Sequence, residues 1–347
     1  MSNAYIYLHL QNNIVLHYST VHANARIRMK LSFQGPGNWF FILPWIAFIP
    51  WYGMLIAMLI CWGVQGRPIY DFMDDYMSPV YISDIGATNL RPLFIACSAW
   101  QGLGYCLTIF THWFQRYKFY MPPWYTKDER NLIIASCILG IIGELGLLFC
   151  TIFSTKNYPH VHISMVCVFV VLLFFSVVCL FTQDLLMGKH YAIIHPRSNC
   201  NLTFNQLKWN QWEGYIWNKY IISAIFKIIW ATLAVVWAIC FATCKDKSRS
   251  ADFEWLLAFW FGVLFIIISI DFYLGGRYKQ SKFFKSIDID SFSGFYKFEE
   301  MVNNKKLNNQ INDLNFDDNT NSSIEPKYID YDDIEDHSIS SPNINIP

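Results

Sequence analysis

The stretch LIIASCILGIIGELGLLFCTIF, residues 132–153, carries a single charge, Glu144, in 22 positions. A bilayer hydrocarbon core about 30 Å thick is crossed by about 20 mostly apolar residues in a helix. Five other stretches meet the same condition, at 39–63, 92–114, 162–186, 219–243 and 253–274. Short of a closed barrel, only a helix satisfies every backbone N–H and C=O in lipid, and the period-2 alternation of barrel strands is absent. The chain therefore reads as an all-α, polytopic membrane protein with a six-helix transmembrane bundle. Pro44 and Pro50 in the first stretch predict a kink there.

Composition agrees with this. Hydrophobic residues make up 54% of the chain and charged residues 15%, against about a quarter charged in soluble domains. The net charge is zero, which gives no overall attraction to nucleic acid. The ten cysteines fall mostly inside apolar runs and form no CxxC pair, so they suggest neither a metal site nor a disulfide framework. No catalytic motif accompanies the polar residues. The expectation is a non-enzyme with no cofactor, no metal and no catalytic residue.

Orientation follows from Lys and Arg beside the spans. Arg26, Arg28, Lys30, Arg116, Lys118, Lys127, Arg130, Lys189, Arg197, Lys208, Lys219, Arg277, Lys279, Lys282 and Lys285 fall on one side, fifteen in all. Arg67, Arg91, Lys156, Lys245, Lys247 and Arg249, six in all, fall on the other. This predicts both termini in the cytosol. The sequons at Asn201 and Asn321 then face the cytosol and stay unmodified. Residues 1–38 form a cytosolic N-terminal segment without a signal-peptide apolar region, and Met29 offers a second possible start that would leave 1–28 untranslated. Trp39, Trp62, Trp113, Trp209, Trp212, Trp217 and Trp255 lie at span ends, where aromatic belts settle.

Polar groups within spans are costly and draw attention to themselves. A lone charge near mid-membrane costs at least ~2.5 kcal/mol on insertion scales. Glu144 in the third span and Lys227 in the fifth are expected to neutralise one another across a helix contact, as a packing pair or as part of a transport route. Gly140, Gly143 and Gly146 around Glu144 predict close approach of a neighbour and a central place for that span. Gln101, His112, His162, Asp184 and Asp271 are further polar positions within spans or at their ends.

The first outer loop is the most distinctive segment. Within it Pro79-x-Tyr81-Ile82-Ser83-Asp84-x-Gly86-Ala87 is followed by Pro92 and Phe94. Ser83 and Asp84 can bond nearby backbone N–H groups and Gly86 permits a positive φ, which predicts a stiff, self-capped turn. This block, with His162, Lys227 and Asp271-Phe272 at span positions, resembles the FRAG/DRAM/SFK family of six-span membrane proteins over about residues 38–275. The long polar tail is most similar to the fungal suppressor-of-four-kinase branch. The resemblance implies a multi-pass plasma-membrane protein that supports a phosphatidylinositol 4-kinase complex and influences lipid asymmetry and sterol retention, with no catalytic residues assigned. Other branches of the family act in GPI-anchor lipid remodelling or in lysosomal autophagy control.

The membrane domain, 39–275, is followed by a basic, aromatic segment at 276–301. Its Arg277, Lys279, Lys282 and Lys285 are expected to contact anionic inner-leaflet headgroups, at about 1 kcal/mol per basic residue. Residues 302–347 are rich in Asn, Asp and Ser, cannot bury enough apolar surface to fold, and read as an acidic disordered tail. The function this suggests is a non-enzymatic scaffold supporting the lipid kinase. The alternatives are a lipid- or sterol-handling protein and an auxiliary factor in GPI-lipid remodelling.

Overall fold

Each apolar stretch becomes one helix whose start is set by a local signal. The computed structural model describes residues 37–73, 76–199, 202, 206–208, 210–281, 295–298 and 303. Helix α1, Leu43–Val64, follows a 3-10 turn at Phe40–Ile42, has Pro44 in its first turn and runs on through Pro50. A short α2, Ile82–Gly86, precedes α3, Arg91–Tyr117, which begins on Pro92. Helix α4, Lys127–Ile152, opens on a capping box in which Thr126 and Glu129 satisfy each other's backbone N–H groups. Pro159 opens α5, Pro159–Ile194, because a proline at the first helical position gives up no intrahelical bond. Asn218 caps α6, Lys219–Thr243, and Asp246 caps α7, Lys247–Gly276.

Among the described residues six helices are long and apolar enough to cross a membrane, the number read from the sequence. Their ends differ from the apolar stretches. Helix α5 continues to Ile194 rather than stopping near 186, and its 36 residues span about 54 Å at ~1.5 Å per residue. It therefore extends well past a hydrocarbon core.

The six long helices form a closed ring. Each packs on the next in chain order, α1 on α3, α3 on α4, α4 on α5, α5 on α6 and α6 on α7, and α7 closes back on α1. The glycine stripe of α4 allows a close approach to α5. A Cβ on Gly146 would lie 2.9 Å from the Phe169 backbone nitrogen of α5, so only glycine lets the two backbones approach. The third span is thus one member of a ring, tightly joined to α5, rather than the centre of the bundle. Outward-facing Ile49, Ile138, Ile163 and Phe226 are exposed, as an apolar belt in contact with lipid requires.

Candidate functional site

Four helices bring buried charges together at the end of the ring where α1 begins and α7 finishes. Lys227, two turns into α6, is 1% exposed. Its Nζ donates to Asp184 Oδ2 of α5 and to Asp271 Oδ2 of α7, each at 2.5 Å. Ser223, one turn earlier on α6, accepts from Lys227 Nζ at 3.0 Å and donates to Asp271 Oδ2 at 2.8 Å. Arg116 of α3 lies 4.0 Å from Asp184 Oδ1 and donates to the Pro122 carbonyl at 2.8 Å. Two carboxylates face two cations, so the cluster is neutral. Neutrality is what allows four charged groups to sit inside a membrane bundle. The His112 ring stacks on Phe272 beside them, with centroids 5.5 Å apart.

This overturns the expected Glu144–Lys227 pair. Glu144 lies 17 residues into α4 and Lys227 only 8 into α6, so they sit about 25 Å and about 12 Å from the same end of the bundle. Their helices are also separated by α5. Glu144 Oε1 instead accepts from Gln101 Nε2 of α3 at 3.2 Å, while its other oxygen is buried without a partner. Asp184 and Asp271, which the sequence marked only as polar positions within spans or at their ends, are the partners of Lys227. Arg116, counted as a flanking cation, is inside the bundle, 1% exposed. Nothing in its local sequence distinguishes it from the other flanking cations.

At the opposite end the Pro79–Ala87 block is ordered, by means other than those expected. Tyr81 is the N-cap of α2, Ile82, Ser83 and Asp84 form its first turn, and Gly86 is helical, outside the positive-φ residues. Glycine is required there for space, since a Cβ on Gly86 would lie 2.3 Å from Phe94 Cδ1. The strongest cap comes from a distant helix. Ile82 N–H donates to Glu254 Oε2 of α7 at 2.7 Å, and Trp255 Nε1 donates to the Val80 carbonyl at 2.8 Å. Trp255 is therefore buried against this loop instead of lying in an aromatic belt. Pro79 follows a cis peptide bond, and Ala87 closes α2.

Asp84 is buried, with Thr155 Oγ1 donating to its Oδ1 at 3.5 Å. Burial pushes its carboxyl up to about 6, against the Thr155 hydrogen bond, the backbone near Tyr81 and the Lys247 charge. His162 ties the same end together. Its Nδ1–H donates to the carbonyls of Cys150 (2.7 Å) and Phe153 (3.0 Å), which closes the last turn of α4.

A second group missed by the sequence reading lies beneath the charge cluster. Glu129, fully buried, accepts from Tyr125 N–H at 2.6 Å and from His190 Nδ1 at 2.7 Å. The spacing of Thr126 and Glu129 was a readable capping box. Against this corner pack Phe295 and Phe298, both buried, with the Phe298 ring stacked on Tyr125 at 4.8 Å. Tyr296 N–H donates to the Tyr125 carbonyl at 2.8 Å, and Arg130 donates to Tyr296 Oη at 2.8 Å. Part of the segment after the last span is thus docked on the bundle.

Of the expected headgroup contacts, Arg277 donates to Tyr273 Oη at 3.1 Å. Lys279 lies in the 3-10 turn Tyr278–Gln280. Lys282, Lys285, Trp209, both sequons, residues 1–36 and nearly all of 302–347 lie outside the described residues.

The family described as Frag1/DRAM/Sfk1/Cwh43P N-terminal domain matches residues 39–275, the span of the ring. The chain is 54% identical over 313 residues to Protein SFK1 of Saccharomyces cerevisiae, covering 78% of this chain and 88% of that one. It is 25% identical over 237 residues to Protein sfk1 of Schizosaccharomyces pombe, covering 68% of this chain and 64% of that one. No solved structure matches it.

Proposed function

The chain belongs to the Frag1/DRAM/Sfk1/Cwh43P N-terminal domain family, and from that membership we propose that it is a non-enzymatic scaffold of the plasma membrane. On this reading it supports a phosphatidylinositol 4-kinase complex, and with it phosphoinositide and lipid-asymmetry homeostasis, with both termini and the charge cluster facing the cytosol. The observation that carries the reading is how the bundle's charges are used. Arg116, Asp184, Lys227 and Asp271 answer one another, and the cavity bordered by Arg116, Asp184 and Asp271 has a volume of about 30 Å³. That is room for about two waters and far too little for a transported lipid. Charges spent on mutual neutralisation stabilise a platform. The parts left to meet a partner are the docked Phe295–Phe298 segment, the tail beyond it, and the basic residues from Arg277 onward, suited to anionic inner-leaflet lipid.

The test is proximity labelling from the C-terminus in living cells, comparing the full chain with a truncation after Asn303 that keeps the docked segment. Enrichment of lipid-kinase subunits by the full chain, with phosphatidylinositol 4-phosphate lowered by the truncation, supports the scaffold. No enrichment and unchanged phosphatidylinositol 4-phosphate would sink it.

A second reading, lipid or sterol handling, draws on a different observation. Between α5 and α6 lies an apolar cleft of about 250 Å³, bordered by Phe174, Phe181, Ile228, Ala231 and Val235. A bulky Ala231→Trp substitution that alters sterol or inner-leaflet lipid exposure while leaving phosphatidylinositol 4-phosphate unchanged would favour it.

A further inference from the structure

The cavity beside the charge cluster holds donors that the cluster does not use. Arg116, Lys219, Tyr220 and Ser223 line it together with Asp184 and Asp271. Arg116 and Tyr220 are 1% and 6% exposed; Arg116 Nε is buried without a hydrogen-bond partner, and buried Tyr220 Oη has only the Arg116 guanidinium beside it. Leaving buried donors without good hydrogen bonds is costly, so two such groups beside one cavity point to something that fills it.

The charge balance says what kind of group. Asp184 and Asp271 are both held by Lys227 at 2.5 Å. Counting the lining residues with Lys227, three cations face two carboxylates, leaving one positive charge over. Lys219 lies against the Tyr220 ring, with Nζ 5.0 Å from its centroid, and makes no salt bridge among the described residues. The depth narrows the choice further. Arg116 is the second-last residue of α3 and Lys219 the first of α6, which is where a spanning helix meets the headgroup layer. A volume of about 30 Å³ holds about two oxygen-sized atoms, matching the two non-bridging oxygens of a phosphodiester whose glycerol side stays outside.

We propose that Arg116, Lys219 and Tyr220 form a binding site for the phosphodiester of a membrane phospholipid headgroup. The site is distinct from the basic residues that follow the last span, and it does not depend on any kinase: the phosphate occupies it in the isolated protein.

The test uses the purified full chain in detergent, titrated with dihexanoyl phosphatidylserine, dihexanoyl phosphatidylcholine, dihexanoylglycerol or inorganic phosphate, with thermal stabilisation as the readout. Both phospholipids should stabilise the protein and dihexanoylglycerol, which lacks the phosphate, should not. Tyr220→Phe removes only a hydroxyl, and Lys219→Gln removes a partly exposed charge. Each should weaken phospholipid affinity about tenfold, the equivalent of ~1.4 kcal/mol, whereas Lys245→Gln, an exposed cation at the other end of the bundle, should leave it unchanged. Stabilisation by inorganic phosphate that is lost in the same two variants would keep the site and name free phosphate as a second source. Equal stabilisation by dihexanoylglycerol, or phospholipid affinity untouched by both variants, would mean that water alone fills the cavity and would overturn the proposal.

Discussion

A lysine two turns inside a membrane helix is costly when alone, and Lys227 is compensated by two carboxylates and a serine. Lys227→Met leaves Asp184 and Asp271 facing each other without the cation that bridges them, and breaking a buried pair in this way costs about 3–5 kcal/mol. We expect a large drop in the melting temperature of the solubilised variant, partly restored by adding Asp271→Asn. Glu144→Gln shares no partner with Lys227, so combining it with Lys227→Met should give additive losses within about 0.5 kcal/mol. Coupling beyond that in the double-mutant cycle would revive the pair suggested by the sequence. The polar positions themselves were legible, because a charge in an apolar run is conspicuous. Their pairing was not, because it depends on depth and on which helices adjoin, and neither is written in local spacing. Asp84 gives a second test at this scale. Its folded carboxyl titrates at about 6, above the ordinary ~3.9. Between pH ~4 and ~6 the folded state therefore keeps a proton that the unfolded chain has released. Stability should fall as pH rises through that window, with Asp84 contributing on the order of 2–3 kcal/mol. Asp84→Asn should make the slope shallower in that window, and a melting profile with the same slope in the variant would show that Asp84 is not responsible.

Among the elements, α2 depends most on residues far from it in sequence. Its first N–H is capped by Glu254, 172 positions away, and Gly86 packs face-on to Phe94. Gly86→Ala should destabilise by about 1–3 kcal/mol through overpacking, with Phe94→Leu in the same chain recovering part of the loss. Limited proteolysis of the 65–90 loop should track both changes; a loop equally resistant in wild type and Gly86→Ala would show that the contact is unimportant. That the block is ordered could be read from its turn-forming residues. How it is ordered could not, since Ser83 and Asp84 were available as local caps and a distant carboxylate took the role. Helix α5 repeats the lesson in another form. Hydropathy finds only the part of a helix that lies in lipid, so the turns from Met187 to Ile194, where Lys189 and His190 are buried against other protein groups, were left out. Helix starts were more legible, because Pro92, Pro159 and Asn218 are local signals.

At the scale of the whole molecule, the ring gives the two ends different chemistry, and orientation decides which leaflet meets which. The positive-inside reading rests on fifteen flanking cations against six, and the structure removes some of them from the balance. Arg116 and Lys189 are buried, and Arg91 on the opposite side donates to the Ile152 carbonyl at 2.6 Å. Setting aside Arg116, Lys189 and Arg91 leaves thirteen against five, so the bias persists. Single cysteines placed in a cysteine-free background should therefore react asymmetrically with a membrane-impermeant maleimide. Lys245→Cys, exposed between α6 and α7, should label on intact cells, and Asp128→Cys, exposed at the start of α4, only after permeabilisation. The opposite pattern would place the charge cluster, its small cavity and the docked Phe295–Phe298 segment on the outer leaflet. No cytosolic lipid kinase could then be reached from that face, and the scaffold reading would fall, while the phospholipid site would survive because both leaflets carry phosphodiesters. One labelling experiment thus separates the two proposals.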